Sequence, residues 1–226
     1  MSTATVTGSK VVSMAEAVSR VQPGMTVMIG GFMGCGNPHG LVEALCVAGL
    51  TDLTLIATDT SRPGFGIAKL VEQRRLRKLY ASHVGLNPAV ATQLNAGELE
   101  VELVPQGTLA ERIRAGGAGL GGVLTPTGLG TPVADGKPVI EVDGRRFLLE
   151  KPLRADVALI AGSTIDRLGN VWYRGTTRNF NTVMATAADL VIAEAEHLVE
   201  VGAIAPENVV TPGVLVDLIV EGDELA

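Results

Sequence analysis

The sequence predicts an α/β protein with a mostly parallel sheet flanked by helices. Short apolar segments alternate with segments in which apolar residues recur at helical spacing, an order typical of parallel sheets covered on both faces. Apolar residues make up 46% of the chain and aromatic residues only 3%. The core must therefore be built from aliphatic side chains, which suit buried parallel strands. The 226 residues are interpreted as a single domain, residues 1–226.

The predicted elements begin with a helix and continue as an alternation. Ser13 and Glu16 form a capping-box pattern that starts the first helix. Strands are predicted at 25–32, 53–58, 79–82, 101–104, 157–161 and 190–193. A late helix is predicted where Phe180 begins an apolar stripe, with Asn179 or Asn181 as its N-cap. Ligands of such sheets bind beyond the carboxyl ends of the strands.

Residues 116–150 interrupt this alternation with a glycine-rich loop and a hairpin. Nine glycines lie within residues 107–136, and no helix or strand pattern is legible from Gly116 to Gly136. The apolar side chains of the loop argue against disorder, so we expect an ordered cover or interface segment. The pair Asp143-Gly144 between two apolar segments predicts a small antiparallel hairpin.

The most informative segment is the turn that follows the first long predicted strand. It consists of Gly30, Gly31, Phe32, Met33, Gly34, Cys35 and Gly36. A helix follows, with Asn37 predicted as its N-cap and Pro38 as its first residue. The glycines clear side chains from the turn, so backbone N–H groups at the helix start could approach an anion closely. That anion could be a phosphate or an oxyanion formed during acyl transfer.

Composition and spacing exclude several classes of function. The net charge of −6 argues against nucleic acid as the main partner. The histidines and cysteines show no ligand spacing, so no metal site is expected. No apolar segment approaches the length of a membrane span and no signal peptide is evident, so we expect a cytoplasmic protein without membrane association. Arg112 and Arg114 are interpreted as surface partners of Glu111.

Several blocks of the chain resemble the α-type half of the 3-oxoacid CoA-transferase family. The glycine turn, as Gly30-Gly-Phe-x-Gly-x-Gly-x-Pro38, is similar to a signature of that family. Further matching blocks stand at 104–119, 124–131, 149–160, 178–181 and 210–214. Together they cover nearly the whole chain in order, and residues 173–181 are most similar to the butyrate–acetoacetate type.

The resemblance implies an enzyme that transfers CoA from an acyl-CoA to a carboxylic acid such as acetoacetate or acetate. It implies ping-pong chemistry through a glutamyl-CoA thioester, with the glutamate on a β-type subunit. The nearest similar stretch, Pro206-Glu-Asn-Val209, lacks the glycine of the family motif, so no catalytic residue is assigned to this chain. We expect a β-type partner in an assembly such as α2β2, a CoA thioester as substrate, and no permanently bound cofactor.

The resemblance also implies that the glycine turn contacts the CoA substrate, as an oxyanion hole or as a CoA-phosphate site. It implies that Gln106, beside Gly107, binds the acyl carboxylate or carbonyl. Thr58-Asp59 stands where succinate-using members often carry two asparagines, and an additional acid would repel a dicarboxylate. Two alternatives stay open: an acyl-CoA hydrolase subunit, and a non-catalytic phosphate-ligand-binding module of the same fold.

Overall fold

The computed structural model describes residues 9–222, which form six α-helices and eleven strands. The helices are α1 (Met14–Val18), α2 (His39–Val47), α3 (Ala68–Glu72), α4 (Pro88–Asn95), α5 (Gln106–Gly117) and α6 (Asn181–Met184). The strands are β1 (Thr26–Ile29), β2 (Leu53–Ile56), β3 (Leu76–Ala81), β4 (Glu100–Leu103), β5 (Val123–Thr125), β6 (Val139–Val142), β7 (Arg145–Glu150), β8 (Ala155–Asp166), β9 (Val171–Trp172), β10 (Ala188–Val199) and β11 (Leu218–Glu221).

The main sheet has the strand order β11-β10-β8-β1-β2-β3-β4. These neighbours are all parallel, and the short β9 pairs antiparallel with β8. A separate antiparallel sheet has the order β5-β7-β6. The predicted fold class is therefore confirmed. Because β1 lies at the centre of the main sheet, the turn that follows it is flanked by the end of β2 on one side and by the second half of β8 on the other.

All six predicted strands are present, but their lengths differ from the prediction. Strands β8 and β10 each have twelve residues, although only their apolar parts were predicted. The two strands stay paired from Ala155 and Ala188 to Asp166 and Val199. The polar residues in the second halves of β8 and β10 show no strand pattern in the sequence. Pairing between the two distant strands stabilises the extended conformation there. Strands β5, β9 and β11 were not predicted, because they are short and carry no clear alternation.

The insertion contains more regular structure than its glycine content indicates. Helix α5 continues to Gly117, and β5 lies within the segment that showed no pattern. The predicted hairpin is confirmed as β6 and β7. Its turn residues Asp143 and Gly144 have φ angles of +50° and +71°, as a type I′ turn requires.

Helix caps were predicted with mixed success. The Ser13 hydroxyl accepts a hydrogen bond from the Glu16 N–H, as predicted. The N-cap of α2 is Pro38 and not Asn37. The N-cap of α6 is Phe180, which makes no side-chain capping bond, and the helix begins at Asn181. The predicted asparagine caps were wrong, because these side chains bond to the glycine turn instead.

Apolar residues form one cluster on each face of the main sheet, since successive strand residues point to opposite faces. On one face Ile29 and Leu55 pack with Leu41 and Leu45 of α2, and this cluster contains Cys46. The other face packs against α5 and α6, and its members include Met28, Ile56, Leu109, Ile113 and Met184. None of the helices formed by residues 9–222 is long and apolar enough to cross a membrane.

Candidate functional site

The glycine turn, residues 30–36, lies at the carboxyl end of β1, and most of its N–H groups are already bonded within the protein. Acceptors are present for Gly30 (Leu159 O), Gly31 (Asn179 Oδ1), Phe32 (Cys35 O), Met33 (Asp59 Oδ2) and Cys35 (Phe32 O). Among the described residues, the N–H groups of Gly34 and Gly36 have no protein acceptor. These two groups are therefore the main-chain donors that the turn can offer to a ligand.

Side chains from three directions bond to the carbonyl groups of the turn. The donors are Asn37 Nδ2 to Gly30 O at 2.5 Å, Thr58 Oγ1 to Gly31 O at 2.7 Å, His39 Nε2 to Gly34 O at 3.0 Å, Asn179 Nδ2 to Cys35 O at 3.0 Å and Asn181 Nδ2 to Gly36 O at 2.9 Å. Such a turn is rigid before any ligand arrives, which is what stabilisation of a transient charge requires.

At each of the four glycines of the turn, an added Cβ atom would lie within 3 Å of a neighbouring atom. Gly34 has a φ of +90°, and a Cβ atom there would overlap the ring of Phe65. Gly36 has a φ of +70°, and its Cβ would lie 2.6 Å from the carbonyl oxygen of Thr177. The backbone conformation and the close neighbours both select glycine at these positions.

Two N–H groups in the first turn of α2 are already bonded to a carboxylate of the chain. The Glu194 carboxylate, from β10, accepts hydrogen bonds from the N–H of Gly40 at 3.0 Å and of Leu41 at 2.7 Å. Its negative charge also complements the helix dipole. The protein therefore supplies a negative charge at the helix start itself. The expectation that an anionic ligand binds there stays a prediction.

A cavity of about 350 Å³ lies beside the turn, between it and the second halves of β8 and β10. Its lining includes Cys35, Ser163, Arg174, Glu194 and Glu196. Glu196 accepts a hydrogen bond from Arg174 at 2.9 Å, and Glu194 bonds to α2. Both carboxylates of the cavity thus accept hydrogen bonds from this chain. Neither is a free carboxylate of the kind that a nucleophilic attack requires.

His39 lines the same cavity and supports the turn. Its Nε2 atom lies 3.0 Å from Gly34 O, and since a carbonyl oxygen only accepts, the ring carries its proton on that nitrogen. Burial lowers the pKa of His39, and the bond to Gly34 opposes this effect. The ring also packs against Phe65, with 4.7 Å between the ring centroids. His39 therefore acts as a neutral hydrogen-bond donor to the turn.

Asp59, at the end of β2, is only 3% exposed. Its Oδ2 accepts from the Met33 N–H at 2.8 Å, and its Oδ1 accepts from the Ser61 N–H at 2.7 Å. The carboxylate faces these backbone donors and not an open site, and the expectation that this acid repels a dicarboxylate stays a prediction. Asp59 joins the loop after β1 to the loop after β2.

Asn179 and Asn181 hold the turn from the opposite side, and sequence reasoning missed this role. Asn179 bonds to the turn at Gly31 and Cys35, and the buried Asn181 bonds to Gly36 and to the Ala161 N–H. The signal was present in the block 178–181, which resembles the family, but the sequence predicts only a helix-cap role for its two asparagines. An asparagine side chain can both donate and accept hydrogen bonds. It can therefore bond to the N–H and the C=O groups of the turn at the same time.

Gln106 and Gly107 lie at the same carboxyl edge as the turn but do not contact it. They begin α5 after β4, and both are exposed. Because β4 is three strands from β1 in the sheet, the separation along the edge is about 14 Å at the usual strand spacing. A cleft of about 340 Å³ beside Gly107 is lined by Thr108, Val123 and Leu124.

Arg112 is not a surface residue as expected. It is 7% exposed, and its guanidinium bonds to Glu102 Oε1 at 2.7 Å and to Lys151 O at 2.8 Å. The buried Glu150 lies 3.8 Å away. Sequence proximity suggests surface pairing with Glu111, but the Arg112 side chain lies on the buried side of α5, between β4 and the end of β7. Arg114 does pair with Glu111 at the surface, as predicted.

The remaining candidates have no catalytic surroundings. Cys35 is exposed, and its Sγ lies 3.4 Å from Thr176 Oγ1. Glu207, in the stretch most similar to a nucleophile motif, lies exposed in the 3₁₀ turn Pro206–Asn208. Within residues 9–222, no group of three or more His, Cys, Asp or Glu side chains could hold a metal ion.

Comparison with known proteins identifies close relatives. The family described as Coenzyme A transferase matches residues 11–222. The acetate CoA-transferase subunit alpha of Escherichia coli is 50% identical over 96% of this chain and 98% of its own length. The acetoacetyl-CoA:acetate/butyrate CoA transferase alpha subunit of Clostridium acetobutylicum is 52% identical over 94% of this chain and 98% of its own length.

A solved structure shares the fold at lower sequence identity. The acyl-CoA transferase of Escherichia coli, in a thioester complex with CoA, superposes with a TM-score of 0.84 at 22% identity. The match covers 96% of this chain and 48% of the other. This chain therefore spans about half the length of that enzyme.

Proposed function

Because the chain belongs to the coenzyme A transferase family, we propose that it is the α-type subunit of a short-chain CoA-transferase. The enzyme moves CoA between a short-chain acyl-CoA and a carboxylic acid such as acetoacetate or acetate. Relatives that are at least half identical over nearly their whole length carry these activities in their names. The observation that carries the proposal is the rigid glycine turn, with the free N–H groups of Gly34 and Gly36 facing no protein acceptor.

The reaction requires a carboxylate nucleophile, and the family resemblance assigns it to a glutamate of a β-type partner. One glutamate oxygen attacks the thioester carbonyl carbon, the C–S bond breaks, and CoA leaves as a thiolate. The thiolate then attacks the glutamyl carbonyl of the resulting anhydride, releasing the first acid as a carboxylate and leaving glutamyl-CoA. The acceptor acid repeats both steps in reverse order.

Each attack places negative charge on a carbonyl oxygen, and the turn is suited to stabilise it. Removing one preorganised donor typically costs about 2.7–4 kcal/mol of transition-state stabilisation. A bound phosphate fits the turn less well. The first turn of α2 already binds Glu194, and this carboxylate would repel a phosphate dianion. We therefore assign the turn to the oxyanion.

Gln106 and Gly107 are proposed as a second contact with the substrate. They stand at the same edge of the sheet, beside the 340 Å³ cleft, and the separation of about 14 Å from the turn spans part of an extended thioester. Within this proposal, the Gln106 amide binds a polar group of the substrate rather than the reacting carbonyl itself.

The chain requires a partner because its own carboxylates near the turn are already bonded. Asp59, Glu194 and Glu196 each accept hydrogen bonds from this chain. A β-type subunit that brings a glutamate to the cavity completes the site, and α2β2 is the proposed assembly. Since its substrates are CoA thioesters of central metabolism, the cytoplasm is the proposed compartment.

The test is reconstitution with a β-type subunit from the same organism. The purified pair should form acetoacetyl-CoA from acetoacetate and acetyl- or butyryl-CoA, whereas neither subunit alone should do so. Release of free CoA that does not depend on the acceptor acid would favour a hydrolase. Full transfer by this chain alone would contradict the proposed division of the site.

A further inference from the structure

We propose that Asp59 is a positioning residue for CoA transfer, which sets the direction of the Gly34 N–H group. The inference rests on the proposed function of the glycine turn. It assigns to Asp59 a role in the rate of the reaction, beyond the charge effect on substrate choice that its sequence position indicates.

The geometry of Asp59 links two strained residues. Met33 and Ser61 have φ angles of +50° and +57°, a left-handed conformation that residues other than glycine rarely adopt. Each carboxylate oxygen accepts the N–H of one of them, at 2.8 and 2.7 Å. The Thr58 hydroxyl lies 2.9 Å from Asp59 Oδ2 and 2.7 Å from Gly31 O. One buried carboxylate therefore stabilises both loop conformations at once.

The conformation of Met33 acts directly on the proposed oxyanion donor. The N–H of Gly34 belongs to the planar peptide unit between Met33 and Gly34. Rotation about the Met33 backbone turns this unit as a whole and re-aims the N–H. The reciprocal hydrogen bonds between Phe32 and Cys35 close the turn around Met33 and Gly34. Asp59 accepts the N–H of Met33 itself, so loss of this bond frees the residue that precedes the Gly34 N–H and loosens the direction of that group.

The substitution Asp59→Asn isolates this role. An amide has one acceptor oxygen, whereas Met33 and Ser61 present two N–H donors to opposite oxygens of Asp59. The amide nitrogen would face a backbone N–H and break one of the two bonds at nearly constant volume. The rest of the turn keeps its bonds to Asn179 and Asn181, so the loop stays in place.

The decisive measurement is rapid-quench formation of the enzyme–CoA thioester by the reconstituted complex with its β-type partner. The amplitude counts competent sites, and the rate constant reports the chemistry. We expect Asp59→Asn to lower the rate constant about 100-fold with an unchanged amplitude and an acyl-CoA KM within about threefold of wild type. The matched control is Asp135→Asn, the same change at an exposed residue, which should leave both quantities unchanged.

A lower amplitude with a normal rate constant would mean that Asp59 only supports folding, and would overturn the proposal, as would kinetics equal to wild type. If the variant does not assemble, hydrogen exchange on the wild-type complex decides. The Met33 amide should be protected and the Gly34 amide should exchange rapidly, and equal exchange of the two would overturn the proposal. A wild-type complex that transfers no CoA would instead contradict the proposed function, an outcome seen before any variant is made.

Discussion

Six polar side chains, among them Thr58 and His39, bond to the main chain of the glycine turn and determine its shape at the scale of single residues. Asn37, Asn179 and Asn181 donate to its carbonyl groups, while Asp59 accepts from the Met33 N–H. Because these bonds form when the protein folds, the conformational entropy of the turn is lost on folding. It does not add to the activation free energy of the reaction. Substitutions in the turn should therefore act on turnover more than on affinity.

Gly34→Ala should reduce kcat of the assembled enzyme about 100-fold, since a displacement of about 1 Å in a catalytic group has that effect. The new methyl group meets the Phe65 ring, and the φ of +90° is unfavourable for alanine. The comparison is Gly136→Ala, where φ is +71° but a Cβ would meet nothing within 4 Å. Equal losses for the two variants would show that backbone strain alone, and not the position of the turn, is responsible.

His39 should make the stability of the purified chain depend on pH. Burial lowers its pKa from 6.5, so the unfolded chain binds a proton first as the pH falls. Stabilisation is present above pH 6.5 and is lost as the pH falls toward the pKa of the folded state. Urea unfolding at about pH 7.5 and 5.5 should show a smaller pH dependence for His39→Gln than for wild type. The exposed His197 provides the control, and His197→Gln should keep the wild-type dependence.

At the scale of elements, α2 depends on a strand far away in sequence. Its N-cap is a proline without a side-chain bond, and Glu194 of β10 accepts the N–H groups of the second and third helix residues instead. The helix, the turn and the end of β10 are thereby fixed relative to one another. The Glu194 carboxylate thus lines the 350 Å³ cavity while it is bonded to the main chain of α2.

Glu194→Gln should lower the free energy of unfolding by about 1–2 kcal/mol, since an amide offers one acceptor and no charge to the helix dipole. Urea denaturation of the purified chain measures this loss. Glu200→Gln removes a surface partner of Arg167 and should change stability by less than about 0.5 kcal/mol. A Glu194 variant as stable as the Glu200 variant would contradict the capping role.

On the scale of the whole molecule, the main sheet and the small sheet differ in how they are packed. The main sheet has an apolar cluster on each face. The small sheet contributes few buried residues, and all four residues of β6 are exposed. Arg112 connects the two parts through Glu102, Lys151 and the buried Glu150. The expectation that residues 116–150 form a cover or an interface stays a prediction.

Hydrogen exchange should distinguish the two sheets. Amides of β6 and β7 should exchange faster than those of β1 and β8, because local opening is easiest where few apolar contacts are buried. Mass spectrometry of the chain alone measures the difference, and uniform protection would contradict it. Slower exchange in β6 after addition of the β-type partner would support the interface interpretation.

The sequence by itself determined the fold class, the position of the glycine turn, the hairpin and the family. These depend on local signals, namely the period of apolar residues, the φ preferences of glycine, and motif order along the chain. Only the tertiary structure decided which groups of the turn are free, because its partners are distant. Asn179 and Glu194 lie 148 and 153 residues from the atoms they bond. The strand order β10-β8-β1 brings them together, and no local pattern encodes that order.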